Sequence, residues 1–314
     1  MSEVENWEDL EAGTTSLEIA NPEDFGEVSD NDEESMEDHL GREKMKISVV
    51  GNNSLSRAMA AIWDSKITDV NTAENGDDID RIIAGKPSLI VVCCDVPYHK
   101  NGNPDDAEII SIITKVSKET EDGAGIMLKS TINMETIERI YGAVGADWFV
   151  NKFLYAPVIG DDPMDAIHGD VAFFGGHPKA IEQAKKVLET HTHFSAKKII
   201  EGSVFEVLFA KLGLVGYSAV REAYWNQYHQ TIIDVGGANP QVVRKMMESH
   251  PIVSDTRTMV PSYVKAMTEE GMTLKKARSY SGEYQNKDVQ ALVSMTDRLT
   301  LLDEAYNKKN LETK

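Results

Sequence analysis

The chain has 314 residues, enough for one large or two ordinary domains with a full core. Its net charge of −20 is unevenly spread: residues 1–44 carry sixteen Asp and Glu against Arg42 and Lys44, so fourteen of the twenty excess negative charges lie there. An acidic body behind an acidic tail excludes nucleic-acid phosphate and anionic membrane as main partners, because both repel it.

Residues 1–44 are rich in Glu, Asp, Ser, Asn and Gly, with Trp7, Leu10, Leu17, Ile19, Phe25 and Leu40 as scattered apolar anchors. Such a segment buries too little surface to offset its ordering entropy, so an acidic, disordered tail is expected. A solvated tail is the leading reading. A partner-binding arm anchored by Trp7 and Phe25, or a mimic of nucleic acid, are the others. The acidic start is the opposite of a targeting leader, and no run is apolar enough to span a membrane.

Short apolar runs then alternate with amphipathic segments. Lys46-Ile-Ser-Val-Val-Gly51, Ser88-Leu-Ile-Val-Val-Cys-Cys94 and Gly125-Ile-Met-Leu-Lys-Ser-Thr131 read as strands buried on both faces. Ala58 to Trp63 and Ala107 to Val116 read as helices, the latter from Ile109, Ile110, Ile112, Ile113 and Val116. The pattern implies a doubly wound α/β domain with parallel strands, whose ligand would sit beyond the strand ends. Cys93 and Cys94 fall in a buried strand and read as structural thiols of a reducing, cytoplasmic setting.

The turn after the first strand decides whether a dinucleotide can bind. Its diphosphate needs Gly-x-Gly-x-x-Gly: a tight turn, a close backbone approach, and close helix packing. Here the register reads Gly51, Asn53, Ser56, and only the first glycine is in place. The second strand, Lys66 to Asn71, is expected to end on the residue that holds the adenosine ribose, with Asn71 at that position and Asp69 two residues earlier. The signal for a bound dinucleotide is weak.

From Val91 the chain resembles the UDP-glucose/GDP-mannose (nucleotide-sugar) dehydrogenase family. Val91-Val-Cys-Cys-Asp-Val-Pro-Tyr-His-Lys-Asn-Gly-Asn-Pro-Asp105 is similar to the loop after that family's third strand, with Val96 and Pro97 in its Val-Pro motif. Lys129-Ser-Thr131 is similar to its Lys-Ser-Thr, and Gly175-Gly-His-Pro178 to the turn after its sixth strand, ahead of a helix over 179–189. Residues 204–235 resemble its long central dimer helix, with Lys211 fifteen residues before Asn226. Ser279-Tyr-Ser-Gly-Glu-Tyr-Gln-Asn-Lys-Asp-Val-Gln-Ala-Leu292 resembles its Gly-Tyr-Gly-Gly-x-Cys-x-Pro-Lys-Asp-x-x-x-Leu, and Leu301 to Asn310 the helix leading out of the central domain.

The resemblance covers about residues 46–310 and implies a Rossmann-like sheet domain over 45–200, followed by a helical central, dimerisation domain over 201–314. The family's second Rossmann domain is expected to be absent. It also implies catalytic positions at Thr131, Lys211 and Asp288, and NAD contacts at Gly51, Asn53, Ser56, Asn71, Val96, Pro97 and Ser130.

Departures weigh as much as matches. The family's thioester-forming cysteine is Tyr284 here, its oxyanion asparagine is Val215, and Val158 stands where its catalytic glutamate would follow Pro157. A phenol is a poor substitute for a thiolate. Read without the resemblance, Lys211 is a snorkelling surface lysine, Asp288 caps a helix over 289–302, and Thr131 ends a strand. His191 and His193, in a strand-like stretch, show no ligand spacing, and no metal site is expected. Met246, Met247, Met259, Met267 and Met272 read as core packing or an adaptable contact surface.

The leading expectation is a degenerate, catalytically inactive relative, without bound cofactor, reused in protein assembly. It would be a homodimer through the 204–235 helix, or part of an enzyme assembly or viral particle. The alternative is an NAD-dependent oxidoreductase acting on a UDP-sugar or other small alcohol.

Overall fold

Strand β1 (Met45–Val50) starts a sheet that is built outward from it in two directions. The computed structural model describes residues 44–99, 104–120, 124–160, 165–250, 253, 263–268, 271–276, 283–294 and 299–312; the acidic tail and Met259 lie outside them. From β1 the chain forms α1 (Ser54–Ala61), β2 (Thr68–Ala73), a 3-10 turn at Gly76–Asp78, α2 (Ile79–Ala84) and β3 (Leu89–Val92). Then come α3 (Ala107–Glu119), β4 (Gly125–Leu128), α4 (Met134–Val144), α5 (Ala146–Lys152) and β5 (Phe153–Tyr155). A short helix α6 (Asp165–His168), β6 (Val171–Gly176), α7 (Pro178–His191) and β7 (Lys198–Gly202) complete the sheet.

The strand order is β2-β1-β3-β4-β5-β6-β7. Strands β1 to β5 run one way; β6 pairs antiparallel with β5, through Tyr155 opposite Gly175, and β7 follows β6 in parallel. The winding reverses between β1 and β3, which places the ligand crevice of such a sheet beyond their carboxyl ends. Both faces of the central strands are covered, as their unbroken apolar runs require. Val50, Ile90, Val92, Ile126 and Leu128 face one core with α2, α3 and α4, while Ile47, Val49, Val91 and Met127 face another with α1 and α7.

Helix α8 (Val204–Val235) follows β7 directly. Ser203 and Glu206 form a reciprocal capping box, with Ser203 N donating to Glu206 Oε2 at 2.7 Å and Glu206 N donating to Ser203 Oγ at 3.2 Å, and Gly236 at φ 75° ends the helix. Its first turns lie on the end of β6, where a Cβ on Gly175 would come within 2.9 Å of Val207 Cβ and 3.0 Å of Val204 Cα. Helix α9 (Pro240–Glu248), a hairpin of β8 (Tyr263–Thr268) and β9 (Gly271–Lys276), α10 (Glu283–Ser294) and α11 (Thr300–Glu312) follow. Residues 289–302 are therefore not one helix, because Ser294 closes α10 and Thr300 opens α11. Ala219 and Ala223 of α8 pack with Val289 of α10 and with Leu302 and Ala305 of α11 in a third apolar cluster.

Candidate functional site

The crevice between β1 and β3 is closed by its own side chains. Gly51, at φ +145°, passes so near Cys93 that a Cβ would lie 2.9 Å from that residue's carbonyl carbon and oxygen, so only glycine fits. Asn53 then caps α1. Its Oδ1 accepts from Ser56 N at 2.8 Å, its own N donates to Ser56 Oγ at 3.1 Å, and its Nδ2 donates across the crevice to the Cys93 carbonyl at 2.6 Å. The amides of Asn53 and Ser56, two donors that this kind of turn offers a diphosphate, are thereby occupied. The Asn53 carboxamide thus fills the turn where a diphosphate would come closest.

The second strand lies two residues further along than its pattern indicates. Asn71 lies inside β2, opposite Ser48, and the strand continues to Ala73. The acid at its end is Glu74, which the apolar pattern misses because β2 is an edge strand with half its residues exposed; Asn52 Nδ2 donates to Glu74 Oε2 at 3.4 Å. The other cofactor-side positions follow β3 and β4. Val96 is buried in the core, Pro97 is exposed and accepts from Asp105 N at 2.7 Å, and Ser130 Oγ donates to the Cys94 carbonyl at 2.6 Å.

Two of the three positions that the resemblance marks as catalytic meet. Lys211 of α8 and Asp288 of α10 form an ion pair at 3.1 Å with only 9% and 8% of their side chains exposed. Lys211 is thus not a snorkelling surface lysine, and Asp288, in the middle of α10, is not a helix cap. The helices come close at Gly216, where a Cβ would lie 2.8 Å from Leu292 Cδ2. Lys287 Nζ reaches Asp95 Oδ1 at 3.4 Å and Gln290 Nε2 donates to the His99 carbonyl at 3.0 Å, so α10 is also tied to the loop after β3. Asn226 is buried on the inner side of α8.

Two phenols that carry no signal in the sequence border this pair. The hydroxyls of Tyr98 and Tyr155 are buried, and among the described residues they make no hydrogen bond of ordinary geometry. Burial first, and the Asp288 carboxylate second, push both well above the usual phenol value. Tyr155 also lies near the Ile132 amide, so the turn that carries Thr131 edges the cluster. Thr131 itself is half-buried, and among the described residues no hydrogen bond joins it to Lys211 or Asp288.

The positions that depart from the family pattern lie in apolar surroundings or outside what is described. Val215 packs in the third apolar cluster, and Val158 packs against the core on the α1–α7 face. Tyr284 falls in the first turn of α10, and its side chain lies outside the described residues. His191 is the last residue of α7 rather than part of a strand, and among the described residues no three His, Cys, Asp or Glu gather as a metal site. Cys93 and Cys94 are free and buried; burial raises both thiols, that of Cys94 to about 12. Lys129 is buried too, 4% exposed, and burial lowers its amine to about 8.

No protein-family model matches the chain, and no curated protein matches it. Solved structures do match. A UDP-glucose dehydrogenase from Pyrobaculum islandicum is 14% identical, over 87% of this chain and 69% of that one, with a TM-score of 0.64. A UDP-D-ManNAc dehydrogenase from Pyrococcus horikoshii is 15% identical, over 85% and 69%, with a TM-score of 0.62. A 3-hydroxyisobutyrate dehydrogenase from Mycobacterium tuberculosis is 14% identical, over 86% and 94%, with a TM-score of 0.58. At these identities the likeness is one of fold: a Rossmann-like sheet followed by helices, as in nucleotide-sugar dehydrogenases.

Proposed function

We propose that this chain is a nucleotide-sugar-dehydrogenase-like body that has lost the family's oxidation and works as an assembly component, with a second copy of itself as first partner. The observation that carries this reading is the outward face of α8. Leu214, Tyr217, Arg221, Tyr224, Tyr228, Thr231 and Val235 recur at intervals of three and four, the spacing of a helix–helix seam. Tyr217 and Val235 are 65% and 81% exposed, Tyr224 stacks on Tyr228 at 5.7 Å, and the Arg221 guanidinium lies 5.6 Å from the Tyr217 ring centre. A stripe of aromatic rings and one Arg is the composition of an interface core, and a long helix can meet its own copy about a two-fold axis.

The polar remnants support the loss of chemistry. Lys211 and Asp288 neutralise one another, Val215 offers no hydrogen-bond donor to an oxyanion, and Val158 is no acid or base. Two free, buried thiols suit a cytoplasmic setting, and among the described residues no helix is long and apolar enough to cross a membrane. Sedimentation equilibrium tests the assembly claim: the full chain should sediment as a dimer, and Tyr217→Asp/Tyr224→Asp as a folded monomer. A monomeric wild-type chain at high micromolar concentration would overturn it.

A second reading, an NAD-dependent oxidoreductase acting on a UDP-sugar or other small alcohol, is favoured by one observation. Lys211 and Asp288 converge at the strand ends beside the Thr131 turn. A single hydride transfer needs a proton acceptor but no thiol, so the absence of cysteine at 284 does not forbid it. The matched 3-hydroxyisobutyrate dehydrogenase makes hydroxy acids worth testing alongside UDP-sugars. Reduction of NAD in such a screen would establish this reading in place of the first.

A further inference from the structure

We infer that the Asn53 side chain is an internal substitute for a bound phosphate, one that holds this Rossmann-like crevice shut and makes the fold independent of any dinucleotide. The inference deepens the non-catalytic reading above and rests on it for the claim that no dinucleotide is used.

In such a crevice two features attract a diphosphate: free amides at the start of the first helix, and room for the backbone to come close. Asn53 removes both. Its carboxamide oxygen takes the Ser56 amide, Ser56 Oγ takes the Asn53 amide, and Ser56 Oγ donates back to the Asn53 carbonyl at 2.8 Å. The carboxamide nitrogen, at 2.6 Å from the Cys93 carbonyl, ties the start of α1 to the residue that follows β3. One side chain therefore spans the two strand ends at the winding reversal. A diphosphate approaching this turn would have to displace the carboxamide, leaving the Cys93 carbonyl without its donor.

The rest of the crevice is still suited to a nucleotide. Gly51 retains its tight turn against Cys93, and Glu74 stands at the end of β2, where an acid can take ribose hydroxyls. The block is local to Asn53, so removing that side chain should reopen the turn.

The test is thermal shift and calorimetry of the full chain with ADP-ribose, which carries the diphosphate and both riboses but no nicotinamide. Wild type should show no shift. Asn53→Gly should melt at lower temperature, having lost its cap and cross-link, and should gain affinity for ADP-ribose by about tenfold or more. Asn53→Asp, which keeps the cap but adds a negative charge, should gain none. If Asn53→Gly does not fold, Asn53→Ser keeps a cap but cannot span to Cys93, and should show the same gain. Folded glycine or serine variants that bind no better than wild type would overturn the inference, while leaving the assembly reading untouched. Wild type that binds ADP-ribose as tightly as the variants would overturn the inference and the non-catalytic reading together.

Discussion

Lys211 Nζ and Asp288 Oδ2 lie 3.1 Å apart although they are seventy-seven positions apart in the chain, and each is more than nine-tenths buried. Both charges have left water for this contact, so each depends on the other. Lys211→Met or Asp288→Asn, by stranding the remaining partner, should each cost about 3–5 kcal/mol in urea unfolding. The double variant Lys211→Met/Asp288→Leu should recover most of that loss. Additive losses in the double variant would mean that the two groups are stabilised by other neighbours rather than by each other.

Two glycines around α8 should respond in opposite ways. At Gly175 a methyl group meets Val204 Cα at 3.0 Å and Ser203 O at 3.1 Å, and main chain cannot step aside as a side-chain tip can. Gly175→Ala should therefore push α8 off the sheet and cost about 1–3 kcal/mol. Gly213, inside α8 and facing outward, has open space where a methyl would go, with nothing within 4 Å. Gly213→Ala should thus stabilise the protomer by about 0.5–1 kcal/mol through helix propensity. Urea titrations at concentrations low enough to separate protomers measure both.

Lys129 predicts a rise of stability with pH. Its folded amine titrates near 8, below its ordinary 10.5, because burial disfavours the charge. Between those values the unfolded chain binds the extra proton, so stability increases as pH rises through the window. Below pH 8 the full penalty, roughly 3 kcal/mol, is present. The facing group is Cys93, and buried thiols with raised values act in the opposite sense above about pH 9, where unfolded cysteine ionises. The rise should hence be clearest from pH 8 to 9. Lys129→Met should abolish it and raise stability at pH 7; a variant with an unchanged pH profile would contradict the assignment.

Much of the sheet is legible in the sequence, because β1, β3 and β4 are buried on both faces and read as unbroken apolar runs. Strand β2 runs two residues later than its pattern indicates, for the opposite reason. Thr68, Asp69, Val70, Asn71, Thr72 and Ala73 form an edge whose polar positions blur the period, and Glu74 escapes notice as a result. The positions Lys211 and Asp288 are visible only through resemblance; taken alone, their local patterns suggest a surface lysine and a cap. Their meeting is a tertiary fact set by helices that cross near Gly216. Tyr98 and Tyr155 carry no local signal, since nothing in a strand end tells whether a polar side chain will be sealed by a helix from far along the chain.

Isothermal titration of the full chain with NAD and NADH addresses the central claim most directly, because a body converted to assembly has no use for the nicotinamide cofactor. No heat of binding is expected up to millimolar concentration, given that Asn53 and Ser56 already occupy the phosphate turn. Micromolar binding would contradict that claim, and would turn attention to hydride transfer at Thr131, Lys211 and Asp288.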